Sequence, residues 1–207
     1  PAPANATLGN AIGAPAAPGG APSPAPSASP SEPEAEIPEV RGAEAPPHSS
    51  QDRYALILVS SILGGGMSSR LFQKVREELG LCYSVYTFQS FYRSAGMVGV
   101  YVATRPATAA RASQTVRGEL ERMAEQGLSE VDLDRIKQQV KGQVMLSLES
   151  TGARLHRLAS FALHDEPFRG LDDVLSGIEA VTCEDTLRVA AQYYDPGCHL
   201  ELRLGPS

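Results

Sequence analysis

Twelve of the sixteen prolines of this 207-residue chain fall in its first fifty residues, and none of its twelve Phe and Tyr residues does. A segment built this way has too little apolar surface to offset the entropy of ordering it. It reads Ala-Pro-Gly-Ser, as in APAAPGGAPSPAPSASPSEPEAE. Residues 1–50 are therefore expected to form a disordered Pro/Ala-rich tail or linker, with local polyproline conformation where prolines cluster. A proline-rich docking peptide would need basic anchors, and Arg41 is the one base there. Core-forming residues are confined to 51–207, and a single domain of that size can bury about two-thirds of its unfolded surface.

Charge narrows the function classes. The net charge is −6, and the first fifty residues hold five acids against one base. The remainder is close to neutral, with nineteen acids against seventeen bases and no clustered basic face. Nucleic acid is not the expected partner. No apolar run is long enough for a membrane-spanning helix. Cys82, Cys183 and Cys198 form no CxxC pair, so neither a disulfide framework nor a zinc ribbon is indicated, and each is read as a free thiol. His48, His156, His164 and His199 form no HxxEH or HxxxH pair, so no metal or other cofactor is expected on this chain. There is no GxSxG nucleophile elbow either.

The ordered part begins near Asp52, a candidate N-cap for the helix RYALILVSSIL, whose apolar residues fill much of its circumference. Gly64, Gly65 and Gly66 end it. GGGMSSR lacks the lysine of a phosphate-binding loop and follows a helix, so it reads as a connection between helices. Ser68 or Ser69 can cap a second helix, SRLFQKVREEL, with Leu71, Phe72, Val75 and Leu79 on one face and Gly80 as its stop. CYSVYTFQSFY and GMVGVYVAT, rich in Val, Tyr, Phe and Thr, read as a β-hairpin. After Arg105 the spacing is helical almost to the end. Ser129 and Thr182 are candidate caps, Gly127 is a stop, and CHLELRLGP closes the chain as a strand with Leu200 and Leu202 on one face. The fold class is α+β, a small and mostly antiparallel sheet flanked by helices.

One compound pattern is more specific. LGGGMSSRLFQKVREELGLCYSVYTF, with DRYALILVSSILGGG before it and GLSEVDLDRIKQQVKGQVMLSLES after it, resembles the C-terminal domains of the pitrilysin/insulinase-type (M16) zinc metallopeptidases, including their bacterial processing-peptidase-like members. The resemblance covers essentially all of residues 52–206. It implies a processing-peptidase-like (LuxS-type) metallohydrolase domain, one of several that enclose a chamber for unfolded peptides. In such enzymes zinc sits on an HxxEH helix of the N-terminal domain, while the C-terminal half contributes an arginine and a tyrosine that reach toward the substrate carbonyl. Arg76 and Tyr83 of VREELGLCY match those positions, and Gly64–Gly66 with Ser68 and Ser69 match a glycine-rich loop that handles the incoming peptide. The side-chain chemistry agrees, because a guanidinium and a phenol both donate hydrogen bonds and suit a developing oxyanion. A helix arginine paired with a neighbouring carboxylate and an ordinary strand tyrosine would give the same spacing.

Two departures stand out. The zinc-binding motif is missing from the sequence, so hydrolysis would need a zinc-bearing partner domain or chain. Family domains also enter through a strand just before DRYALILV, whereas RGAEAPPHSSQ, with two adjacent prolines, is a poor strand. The sheet is expected to lack that strand and to leave an open edge for a partner or peptide. The resemblance thus implies the substrate-binding, non-zinc half of a metalloendopeptidase. A non-catalytic scaffold of the same fold is the alternative. The compartment stays open, with a bacterial cytoplasmic or periplasmic setting fitting by analogy alone.

Overall fold

The computed structural model describes residues 37–204. Its first element overturns one expectation. Ile37–Ala45 is a nine-residue strand, β1, and it lies inside the sheet rather than being absent from it. The sheet is completed by β2 (Cys82–Phe91), β3 (Gly96–Thr104) and β4 (Leu200–Arg203), in the order β2-β3-β1-β4 with every pairing antiparallel. The tail boundary at residue 50 is corrected accordingly, since 37–50 belong to the folded unit. The rest of the expected tail, residues 1–36, lies outside the described residues.

The physical reason is in the charges. Glu39 and Arg41 point to the helix side of β1 and are buried, at 2% and 5% exposure. In register they face Arg203 and Glu201 of β4. Glu39 accepts from Arg41 Nε at 2.7 Å and Arg203 Nε at 3.0 Å, while Glu201 accepts from Arg41 Nη2 at 2.6 Å and Arg203 Nη2 at 2.6 Å. Ser113 Oγ accepts from both arginines, at 2.8 Å from Arg203. Two of these residues precede the body of the domain in sequence and two end it, so each looks unpartnered until the strands are adjacent. Pro38 sits at the strand's start, where its carbonyl accepts from Leu204 N–H at 3.0 Å. Pro46 and Pro47 follow the strand instead of interrupting it.

The helices cover one face of the sheet. α1 (Asp52–Gly64) is buried nearly all round, as its sequence implied. Its N-cap is Gln51 rather than Asp52. Asp52 instead accepts from the Arg188 guanidinium at 2.8 and 3.0 Å, tying α1 to α6 (Cys183–Tyr193). α2 (Pro106–Gln126) buries Ala109, Ala112, Val116, Leu120 and Met123, and α3 (Glu130–Ser147) buries Leu133, Ile136, Val140 and Val144. Gly127 ends α2 at φ 63°, with Leu187 packed where a Cβ would stand. Ser129 and Thr182 cap α3 and α6 through the Asp132 and Asp185 amides, at 3.2 and 3.1 Å. α4 (Thr151–His164) and α5 (Leu171–Glu179) complete the layer.

The other face of the sheet is apolar and open. Tyr86 and Tyr101 stack at 4.9 Å, and register continues their row through Val40 to Leu202. Leu200, in the next row, is 80% exposed. Such a surface is characteristic of a face that packs against another protein element. No helix among the described residues is long and apolar enough to cross a membrane.

Two histidines are half-buried at joints between elements. His48 stacks on His164 at 4.1 Å with Nδ1 2.9 Å from Glu166, and His199 Nε2 lies 2.8 Å from the Tyr193 carbonyl. Burial pulls both imidazoles below their ordinary pKa, outweighing the hydrogen bonds that favour the charged form. The unfolded chain therefore takes up protons first as pH falls. This part of the stability is present above the ordinary histidine pKa, about 6.5, and is lost on acidification through the lower folded values. The melting temperature is expected to drop by a few degrees between about pH 7.5 and 5.5, and less steeply in a His48→Asn/His199→Asn variant. A flat profile would remove this reading.

Candidate active-site cleft

The segment between α1 and β2 does not form the expected α-helix throughout. Phe72–Glu78 is a π-helix, a wider coil that is rare and recurs at functional sites. Leu71 and Val75 anchor it in the core. Arg76 lies on its outer side with the guanidinium 4.7 Å over the Phe72 ring, so a cation–π contact holds it in place. The helix is closed by Gly80 at φ 57°, a left-handed turn that favours glycine. Gly80 N–H donates to the Arg76 carbonyl at 3.1 Å and Leu81 N–H to the Val75 carbonyl at 2.9 Å. The Leu81 carbonyl then accepts from the Thr104 and Thr108 hydroxyls, at 2.6 and 3.0 Å, which fixes the turn to the end of β3 and the start of α2.

Tyr83 follows at once, at an irregularity in the ladder. Cys82 pairs with Thr104, but the neighbouring residue Ala103 pairs with Ser84, so Tyr83 is an extra residue in edge strand β2. A β-bulge of this kind re-aims a side chain, and Tyr83 is 64% exposed. The π-helix, the turn and the bulge bring Arg76 and Tyr83 to one cleft of about 350 Å³, which Glu77, Cys82 and Arg105 also line. Burial pushes the Cys82 thiol up to about 11, against the pull of the nearby Arg76 charge, so it stays protonated near neutral pH and is a poor nucleophile.

The other expected site residues lie elsewhere. Gly64 is the buried last residue of α1, and a Cβ there would meet the Thr87 backbone and its Cγ2 at 2.8 Å. Gly65 donates to the Ser61 carbonyl at 2.9 Å, and a Cβ would strike that same residue. Gly64 serves close packing of α1 on β2 and Gly65 the tight end of α1 itself, whereas Gly66 faces open space. Ser68 is exposed and Ser69 buried, the latter with no hydrogen-bond partner for its hydroxyl among the described residues. None of these five lines the cleft. Thr87, on which Gly64 rests, is four residues along β2 from Tyr83, about 13 Å away. Sequence reasoning missed Arg105, which sits one residue past β3 at the N-cap of α2; an arginine just before Pro106 was the available signal. Among the described residues no group of three or more His, Cys, Asp or Glu is placed to hold a metal.

The family described as the peptidase M16 inactive domain matches residues 21–140, more than half of the chain. This chain belongs to that family. An uncharacterized zinc protease of Streptomyces coelicolor is 39% identical over 142 residues, which are 69% of this chain and 31% of that protein. A protease from Helicobacter pylori superposes with a TM-score of 0.76 at 21% identity, covering 83% of this chain and 41% of that one. The peptidase M16 inactive domain from Pseudomonas fluorescens gives 0.74, also at 21% identity and over the same shares. At that identity the two structures show the fold. This M16 inactive domain spans about a third of the curated relatives it matches, 31% and 37% of the first two. The family match begins inside the segment whose composition reads as a tail.

Chemically, the cleft of this M16 domain offers a permanent cation and a phenol O–H beside an edge strand. Both are hydrogen-bond donors. Such a pair can orient and polarise a carbonyl, but it cannot supply the attacking nucleophile.

Proposed function

We propose that this domain is the substrate-binding, non-zinc half of a zinc metalloendopeptidase acting on peptides or unfolded segments. The observation that carries the reading is the opening of Arg76 and Tyr83 onto one cleft, each aimed by a separate backbone device. Their hydrogen bonds hold the scissile carbonyl and stabilise charge as it develops on its oxygen. The described residues do not fit zinc. The metal, and the water activation it supplies, are assigned to a partner domain or chain. Of Gly64–Gly66, Ser68 and Ser69, the open Gly66 and exposed Ser68 would meet the peptide, outside the cleft, while buried Gly64 and Ser69 and tightly packed Gly65 would set the course of the loop.

The test is reconstitution with a zinc-bearing M16 partner. Hydrolysis of an unfolded fluorogenic peptide is expected with both components, and only a background rate with either alone. Full activity from the partner alone would overturn the proposal. It would also favour a scaffold role, for which the open apolar face of the sheet provides a surface.

A further inference from the structure

We infer that the cleft selects peptides bearing a carboxylate next to the bond presented to Arg76 and Tyr83, and that Arg105 is the residue that reads it. The inference rests on the peptide-binding reading above and names its substrate class. Polarising one neutral carbonyl takes one cation and one hydroxyl, which Arg76 and Tyr83 supply. Arg105 is a second guanidinium at the same cleft, brought there from a different element, the junction of β3 and α2. Glu77 is the only carboxylate in the lining, and among the described residues it forms no ion pair with either arginine.

Glu77 can offset only one of the two guanidinium charges in a cleft of about 350 Å³, so the lining keeps a net positive charge that favours a further anion. The surroundings add to the bias. The first turn of α2 carries no acidic residue, so the positive end of a 21-residue helix is left uncompensated behind Arg105. A planar guanidinium matches a carboxylate with two parallel hydrogen bonds, which phosphate-free peptides offer from Asp or Glu side chains or from a free C-terminus.

The test uses the full chain and three fluorescent nonapeptides: an amidated peptide with a central Gln, the same peptide with a central Glu, and the Gln peptide with a free C-terminal carboxylate. Anisotropy is expected to show at least one acid form binding roughly fivefold tighter than the neutral form at low salt, with the gap closing as ionic strength rises. The arm that tightens identifies the source of the carboxylate. Arg105→Gln should abolish the preference, and Arg105→Lys should restore part of it. Equal affinity for all three peptides, or a preference that survives Arg105→Gln, overturns the inference. If the neutral peptide still binds and weakens in Arg76→Gln, the peptide-binding reading stands without it. If no peptide binds at all, both fall together.

Discussion

A chain shortened to begin at Gln51 should show no cooperative melting transition and should expose apolar surface to a reporter dye, whereas the full chain melts in one step. The cut removes β1, an interior strand, and strips the ladder bonds from one side of both β3 and β4. β4 then has no strand to pair with. Arg203, Glu201 and Ser113 lose the partners that Glu39 and Arg41 give them. The cut removes the two buried charges together and leaves Arg203 and Glu201 paired at 2.6 Å, so the ion pairs alone cost little, but a whole domain is typically stable by only about 5–15 kcal/mol. Loss of an interior strand exceeds that margin. A shortened chain that melts cooperatively within a few degrees of the full one would show that β1 contributes little, and the domain boundary would return to residue 51.

In a reconstituted active pair, Arg76→Ala and Tyr83→Phe should each lower kcat/KM by about 10²–10³, the usual cost of deleting one donor to a developing oxyanion. Most of the loss should appear in kcat, because such a bond strengthens only as charge builds on the oxygen. Neither change should alter folding much. Arg76 rests on the Phe72 ring at the surface, and the Tyr83 hydroxyl belongs to an exposed side chain. Equal melting temperatures would show that the loss is chemical. If neither variant falls by even tenfold, the assigned roles are wrong and the scaffold reading gains.

Much of the fold was legible because it is local. The stripes of α2 and α3, the stops at Gly80 and Gly127, the Thr182 cap and the β2–β3 hairpin each depend on residues a few positions apart. β1 was not legible, for the converse reason. Its charges make sense only against β4, some 160 residues later, and its flanking prolines resemble interruptions until the strand's limits are known. Two finer features also escaped. A seven-residue stretch gives too little periodicity to distinguish a π-helix from an α-helix, and a bulge leaves no mark in an edge strand of Tyr, Ser and Val. Arg76 and Tyr83 could be named from their motif, but not the bulge that aims one or the cation–π contact that holds the other. Arg105 belongs to no motif, and only the adjacency of β2 and β3 brings it to the cleft.

The adjacency of β1 and β4 also decides where neighbouring parts of a longer polypeptide would be tethered. β1 begins at Ile37 opposite Thr104, which pairs in turn with Cys82 at the mouth of the cleft, and Leu204 leaves the sheet beside Pro38. Chain entry, chain exit and cleft thus share one corner, with β1 only two strand spacings from β2, roughly 10 Å. A domain joined just past Leu204 by a short flexible linker would meet the cleft at an effective concentration in the millimolar range, whereas one joined ahead of residue 1 would have the 36 residues before Ile37 in between. Covalent attachment at that corner would let a weak interface suffice to assemble the site, whereas a separate chain would have to supply the missing affinity through contacts of its own.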